Sequence, residues 1–425
     1  MRLAVELLIF LELTNLATGY WWTQIAQLGA HVDSNALGSD DDLSSSVDPD
    51  LDRDLETDFD PSFLSPRPIC GRLHGLSPGQ ARICELFWDH MPAVGAGARH
   101  AIEECQWQFK HGRWNCSTPY TKDPTPQLTL VSSATREQAF TYALIAAGVT
   151  HEVSRSCRRG MLASCGCSAD QRPQDLEPNW QWGGCGDNID YGYRFAKDFV
   201  DIREKEWNYP VGSKHYGQAL MNRWNNEVGR KLLKKRSKPH CKCHGVSGAC
   251  SVRTCWMQLP DVRKVSNALL NKYRAARRVR VNSRGNLQVV LPDQPTLDDA
   301  DGDDDSQYNP IDKVDKKVQS STRHRRSRRH RRTGQRTNVR PLDLVYLDQS
   351  PDYCNQNPLL GTVGTRGRVC NKNSRGADSC KLLCCGRGYD TYKEEVTKKC
   401  NCRFQWCCKV VCDTCTHVTS THVCK

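Results

Sequence analysis

Residues 241–256 read Cys241-Lys242-Cys243-His244-Gly245-Val246-Ser247-Gly248-Ala249-Cys250-Ser251-Val252-Arg253-Thr254-Cys255-Trp256, four cysteines around one short loop. Cys241 and Cys255 are equidistant from residue 248, and Cys243 and Cys250 stand nearly symmetrically inside them. Residues that face each other across an antiparallel hairpin share this symmetry. Two nested bridges therefore predict a stapled hairpin whose loop holds His244, Gly245, Val246, Ser247, Gly248 and Ala249. A bridge over so short a loop stabilises by ~2–3 kcal/mol, by limiting the unfolded chain. Gly245 and Gly248 permit positive φ and remove bulk beside the hydroxyl. The reading is a rigid turn that presents Ser247.

The same symmetry recurs downstream. Cys400 with Cys415, Cys402 with Cys412, and the adjacent Cys407 and Cys408 nest about a centre near residues 407–408. This predicts a long two-stranded finger with Cys407–Cys408 at its tip. An isolated hairpin is marginal in water, so cross-strand bridges must hold it. Phe404, Trp406 and Val410 near the tip would be exposed, and apolar groups on an exposed tip are usually there for contact. Folding back onto their own domain is the plainer reading.

The chain has 425 residues, 24 of them cysteine, with 38% hydrophobic content and a formal net charge of +12. So many cysteines, in an even number, fit an oxidising secretory route. Arg2, the apolar run Leu7–Leu11 and Ala17-Thr18-Gly19 read as a signal peptide over residues 1–19. No later stretch is apolar enough for a membrane helix. Residues 20–66 form an acidic segment read as disordered. Residues 67–285 read as a helical domain. Its helices are expected after Ser132-Ser133-Ala134-Thr135, over about Tyr191–Glu206, over about Tyr216–Leu233, and from Pro260-Asp261. Residues 286–340 read as a charged linker, holding Asp303-Asp304-Asp305 and the basic run at 323–332. Residues 341–425 carry twelve cysteines between Cys354 and Cys424 and read as a cystine-rich scaffold. The fold class is thus α+β, a helical N-terminal domain with stapled hairpins plus a small cystine-rich β-hairpin domain. The positive charge favours anionic partners such as heparan sulfate, and no nucleic-acid partner is expected.

Three readings compete for the Ser247 loop. Gly245-Val246-Ser247-Gly248-Ala249 partly matches a G-x-S-x-G nucleophile elbow, but position 249 is Ala. The elbow needs a buried strand before it and a helix after it, and His244, fixed by its neighbours, is poorly placed as a base. No enzyme and no catalytic residue are expected. Cys241, Cys243, His244, Cys250 and Cys255 carry zinc-type donors, but C-x-C spacing and an oxidising compartment favour bridges; no metal is expected. The third reading is a hydroxyl presented for modification or contact.

The run Cys241–Trp256 closely resembles the signature of Wnt proteins. Further matches are Leu76-Ser77-Pro78-Gly79-Gln80, Glu104–Phe109, Arg113-Trp114-Asn115-Cys116-Ser117, Trp182–Asn188, Asn225-Asn226-Glu227 and Cys384–Tyr389. The resemblance covers about residues 67–290 and 341–425. Asp187–Lys197, Ser350-Pro351-Asp352-Tyr353-Cys354 and Tyr20-Trp21-Trp22 look most like the fifth Wnt subfamily. The resemblance implies a secreted signalling ligand whose Ser247 carries a covalent mono-unsaturated acyl chain, added by the acyltransferase Porcupine. No other cofactor is implied. It implies that the loop His244–Gly248 places this lipid on the cysteine-rich domain of a Frizzled receptor, with the finger tip (Phe404, Trp406, Cys407, Cys408, Val410) as a second contact. It also implies the carrier Wntless, Ror or Ryk as co-receptors, and signalling often independent of β-catenin. By the same resemblance Cys105–Cys116, Cys157–Cys165, Cys167–Cys185, Cys354–Cys385, Cys370–Cys380 and Cys384–Cys424 pair, which leaves Cys70 and Cys84 over. Asn115 is the sequon asparagine and the implied glycosylation site. Gln405 stands where many members have histidine. The alternative to a signalling ligand is a secreted matrix protein acting through the basic run.

Overall fold

The computed structural model describes residues 25–26, 70–71, 73, 75–116, 134–168, 172–174, 176–177, 180–250, 252–290, 339–357, 362–406 and 409–425. The signal segment, the acidic run, the basic run and the Cys407–Cys408 pair lie outside the described residues.

Among the described residues, six longer helices build the N-terminal body: α1 Pro78–Leu86, α2 Met91–Phe109, α3 Arg136–Arg158, α4 Ile189–Glu206, α5 Lys214–Arg236 and α6 Val262–Arg274. Their starts are written in side chains. The family-like run at 76–80 is a capping box, in which Ser77 Oγ accepts from the Gln80 amide and Gln80 Oε1 accepts from the Ser77 amide. Thr135, Asn188, Ser213 and Asp261 cap α3, α4, α5 and α6 with their side-chain oxygens. The sequence reading located α3–α6 and overlooked α1 and α2. The two interior glycines of α2, Gly95 and Gly97, depress its local helix signal.

Gly97 has a packing reason. A Cβ there would meet the Gly148 carbonyl oxygen at 2.4 Å, so α2 and α3 touch backbone to backbone. Helix α3 is the centre of the body, packed against α2, α4, α5 and α6 and buried on nearly every face. Ile25 and Ala26 fall in the segment read as disordered, yet they are helical and 0% and 7% exposed in this core. The gain from burying two apolar side chains in a preformed core overrides the composition around them.

Strand β1 (Gln181–Trp182), β2 (Lys238–Cys243) and β3 (Arg253–Gln258) form one sheet, with β3 in the middle. Strand β4 (Arg277–Val281) is flanked by β5 (Leu287–Val289) on one side and by β6 (Val345–Tyr346), in parallel, on the other. Leu287–Val289 lies in the stretch read as charged linker, and Leu344 and Val345, read as part of the C-terminal scaffold, are fully buried in the helical body. Asn225 holds Val345 by both backbone groups, at 3.0 Å each. The described strands that flank the charged insert in sequence, β5 and β6, thus lie on opposite sides of β4.

The C-terminal unit adds the short pairs β7 (Gln356–Asn357) with β8 (Thr362–Val363), then β9 (Val369–Cys370), the single turn α7 (Cys380–Leu383), and the finger strands β10 (Tyr389–Gln405) and β11 (Lys409–Cys424). Its core is almost entirely sulfur: Cys370, Cys380, Cys384 and Cys424 around Leu383. Bridges join Cys354–Cys385, Cys370–Cys380 and Cys384–Cys424 here, and Cys70–Cys84, Cys105–Cys116, Cys157–Cys165 and Cys167–Cys185 in the body.

Candidate functional site

The Ser247 loop sits at the end of the β2–β3 hairpin. Cys241 and Cys255 face each other in the ladder and are bridged, with Cα atoms 4.1 Å apart. Beyond them Cys243–Cys250 closes the loop. Inside it, the His244 amide donates to the Val252 carbonyl (2.8 Å), Gly245 to Ala249 (2.7 Å) and Gly248 to Gly245 (3.0 Å). The loop backbone thus satisfies itself without leaning on the body. Ser247 adopts φ 57°, ψ 29°, and Gly248 follows at φ 78°. Gly245 keeps an ordinary φ of −70°, so the positive-φ positions are Ser247 and Gly248, not the two glycines. The loop needs one tight reversal, and the hydroxyl-bearing residue itself makes it.

Val246 is 91% exposed, and Ser247, Gly248 and Ala249 are exposed beside it. After the loop the chain returns as β3, not as a helix, so the strand–turn–helix of a nucleophile elbow is not formed. The cysteines read as potential zinc donors are bridged to one another.

What holds the hairpin on the body is the run Trp182–Asn188, which sequence reasoning noticed only as a family match. Gln181 and Trp182 pair in parallel with Thr254 and Cys255. The Gly183 amide donates to Cys255 and the Asp187 amide to Met257, while Asp187 Oδ2 accepts from the Leu259 amide at 2.8 Å. Asn188 then caps α4 and donates to the Gly166 carbonyl. The Arg253 guanidinium lies 4.5 Å over the Trp180 ring, and His240 meets Trp256 edge-on at 5.6 Å. The third strand and the Arg253–Trp180 contact fix the direction of the loop.

The second site residue group is at the finger. Phe404, Trp406 and Val410 are 71%, 91% and 61% exposed, so they do not fold back. Bridges Cys400–Cys415 and Cys402–Cys412 staple the strands. The register differs from the symmetric reading. Up to Cys400↔Asp413 the ladder is centred one residue earlier, and Cys400 bonds diagonally to Cys415 rather than to the residue facing it. A bulge between Cys400 and Arg403, with Asn401 at φ 47°, absorbs the offset. Asn115 is half-buried in the loop that Cys105–Cys116 closes after α2.

A second motif, Asn225-Asn226-Glu227, is structural. Arg230, fully buried, makes a bidentate pair with Asp201 (3.1 and 2.7 Å) and also reaches Glu227 at 3.0 Å. Asn226 donates to Asp201 at 2.9 Å. Burial works against the Glu227 charge, but hydrogen bonds from Tyr193 and Arg230 and the Arg230 charge outweigh it and hold its pKa at about 2.

Comparison with known proteins points the same way. The profile described as "wnt family" matches residues 72–425. Protein Wnt-2 of Caenorhabditis elegans is 46% identical over 421 residues, 99% of this chain and 98% of that protein. Protein Wnt-5b of Ambystoma mexicanum is 46% identical over 363 residues, 85% of this chain and 89% of that protein. Among solved structures, human WLS in complex with WNT8A aligns at 33% identity and TM-score 0.49, covering 79% of this chain and 94% of that chain. A profile match over most of the chain, with relatives near half identity along almost their full length, leaves one assignment: this chain belongs to the Wnt family of secreted signalling ligands.

Proposed function

We propose that this ligand is acylated on Ser247 and delivers the acyl chain to the cysteine-rich domain of a Frizzled-type receptor, with the finger tip as a second contact. The observation that carries this reading is the Ser247 turn: an exposed hydroxyl, in a left-handed conformation, at the end of a doubly bridged hairpin. The loop itself offers one large apolar side chain, Val246. A sixteen-carbon chain, at ~0.8 kcal/mol per buried CH₂, offers on the order of 10 kcal/mol of gross burial, enough to dominate a protein contact. At the other end, Phe404, Trp406 and Val410 present apolar surface that the protein itself leaves open.

The reading includes Porcupine as the acyltransferase and Wntless as the carrier of the lipidated chain. The likeness to Wnt-5a and Wnt-5b relatives favours β-catenin-independent output with Ror or Ryk as co-receptors. The basic run at 323–332 supports retention in the extracellular matrix through heparan sulfate. The absence of any catalytic or metal role at the Ser247 loop is part of the same reading.

Binding of the secreted protein to a purified Frizzled cysteine-rich domain tests it. Ser247→Ala should abolish binding, and Trp406→Ala should weaken it ~10-fold or more, the loss typical of a buried aromatic anchor. Undiminished binding by Ser247→Ala would contradict the reading. Deleting 323–332 should lower retention on heparan sulfate and leave receptor affinity unchanged.

A further inference from the structure

Two contacts on separate hairpins of one molecule act together only if their separation is fixed. The finger strands are 17 and 16 residues long, roughly 50 Å at ~3.3 Å per residue. A rotation of about 10° at the base of such a lever moves the tip by about 9 Å. Whatever holds the base therefore decides whether the tip meets a receptor already bound to the lipid.

We propose that Arg368 and Arg113 form a reciprocal clasp that sets the direction of the finger relative to the Ser247 hairpin, making Arg368 a positioning residue for two-point binding; this rests on the receptor reading above. The Arg368 guanidinium donates from Nη1 to the Arg113 carbonyl (2.9 Å) and from Nη2 to the Lys110 carbonyl (3.0 Å). In return Arg113 Nε donates to the Leu382 carbonyl at 3.0 Å. Each unit gives the other one arginine. Lys110 caps the C-terminal end of α2, where outward carbonyls and the helix dipole favour a cation. The planar fork of arginine suits two neighbouring carbonyls, and a lysine ammonium does not match it.

Both arms end on the finger. The Arg368 carbonyl accepts from the Cys424 amide, and the Gly367 amide donates to the Cys424 carbonyl, both at 2.9 Å. The next two residues, Val369 and Cys370, pair with β11. Leu382 belongs to α7, which is tied to β11 by Cys384–Cys424. On the body side, Cys105–Cys116 closes the loop that holds Lys110 and Arg113. Helix α2 is in turn locked to the hairpin's end of the body, where Glu104 takes Arg263 at 2.6 Å, at the start of α6 and a few residues past β3.

The unit's other ties to the body run through the segment before Cys354, where Asp348 Oδ2 accepts from the Ala134 amide at 3.1 Å. Ser350 donates to Glu137 (2.7 Å), and Tyr353 lies 6.5 Å from Trp114, just before Cys354. The clasp adds an attachment at the base of the finger itself, apart from those ties.

The test uses full-length acylated protein, wild type and Arg368→Met, Arg368→Lys, Trp406→Ala and the Arg368→Met/Trp406→Ala double variant. Fluorescence labels on noncanonical residues at the exposed positions 242 and 393 report the hairpin-to-finger distance. Arg368→Met, which keeps the stem and loses the donors, should broaden that distance distribution. It should weaken receptor-domain binding to the level of Trp406→Ala, on the order of ten-fold. The double variant should bind no worse than either single one, because a misdirected tip and a missing tip are the same loss. Arg368→Lys should recover part of both readouts. An unchanged distance in Arg368→Met, or losses that add in the double variant, overturns the clasp. If Trp406→Ala alone binds like wild type, the two-contact reading fails, and the clasp stands or falls on the distance. Should Arg368→Met fail to be secreted, Arg113→Met, at an exposed side chain, supplies the same comparison.

Discussion

Ser247 lies where few L-residues rest. A left-handed conformation costs a residue with a Cβ about 1–2 kcal/mol, and the two nested bridges sustain it here. Replacing Ser247 by Thr, whose branched Cβ tolerates this region least, should cut the acylated fraction while the protein is still secreted, as read by mass spectrometry. Gly248→Ala, at φ 78° in open space, should cost about 1 kcal/mol through backbone strain alone. Glu227 supplies a pH test. Its folded pKa lies below the unfolded carboxylate value, so its contribution is complete above ~4.3 and is lost as pH falls toward about 2. Glu227→Gln should lower the thermal midpoint at pH 6 and narrow the gap to wild type at pH 2. The sequence exposed Ser247 through cysteine symmetry alone. It could not expose the Arg230–Asp201–Glu227 network, whose members lie on two helices brought together only by folding.

At the scale of elements, symmetric cysteines located both hairpins, but their register followed only one of them. Cys241 and Cys255 face each other, so symmetry and ladder agree. In the finger the bridge is diagonal and a bulge intervenes, and no pattern of cysteine spacing distinguishes those cases. Helices α3–α6 were legible because capping residues precede periodic apolar runs. Helix α2 was not, because the feature that makes it fit, a glycine against Gly148, looks locally like a helix breaker. Gly148→Ala should accordingly destabilise by about 1–3 kcal/mol, the range for overpacking, measured as a fall in denaturation midpoint. Replacing Cys243 and Cys250 together by Ala should leave the body and finger folded, since neither touches that bridge, and should abolish receptor-domain binding. Retained binding would mean that loop rigidity is dispensable.

For the molecule as a whole, the charged insert lies between the two contact regions in sequence. The described strands on either side of it, β5 and β6, both pair with β4 and fix the chain to the body at both flanks. Strands β5 and β6 lie about two strand spacings apart, roughly 10 Å, in a part of the body where Asn225 holds Val345. Replacing residues 291–338 by a short Gly/Ser link should therefore leave the hairpin-to-finger distance and receptor-domain affinity unchanged; a shift in either would mean that the insert, not the clasp and the sheet, sets the spacing. The central claim is that Ser247 is held out in order to be acylated. Mass spectrometry of the disulfide-reduced peptide spanning Ser247, taken from the secreted protein, tests it most directly. The account predicts a mono-unsaturated sixteen-carbon acyl group on the wild-type peptide and none on Ser247→Ala. An unmodified wild-type peptide from protein that still signals would contradict it.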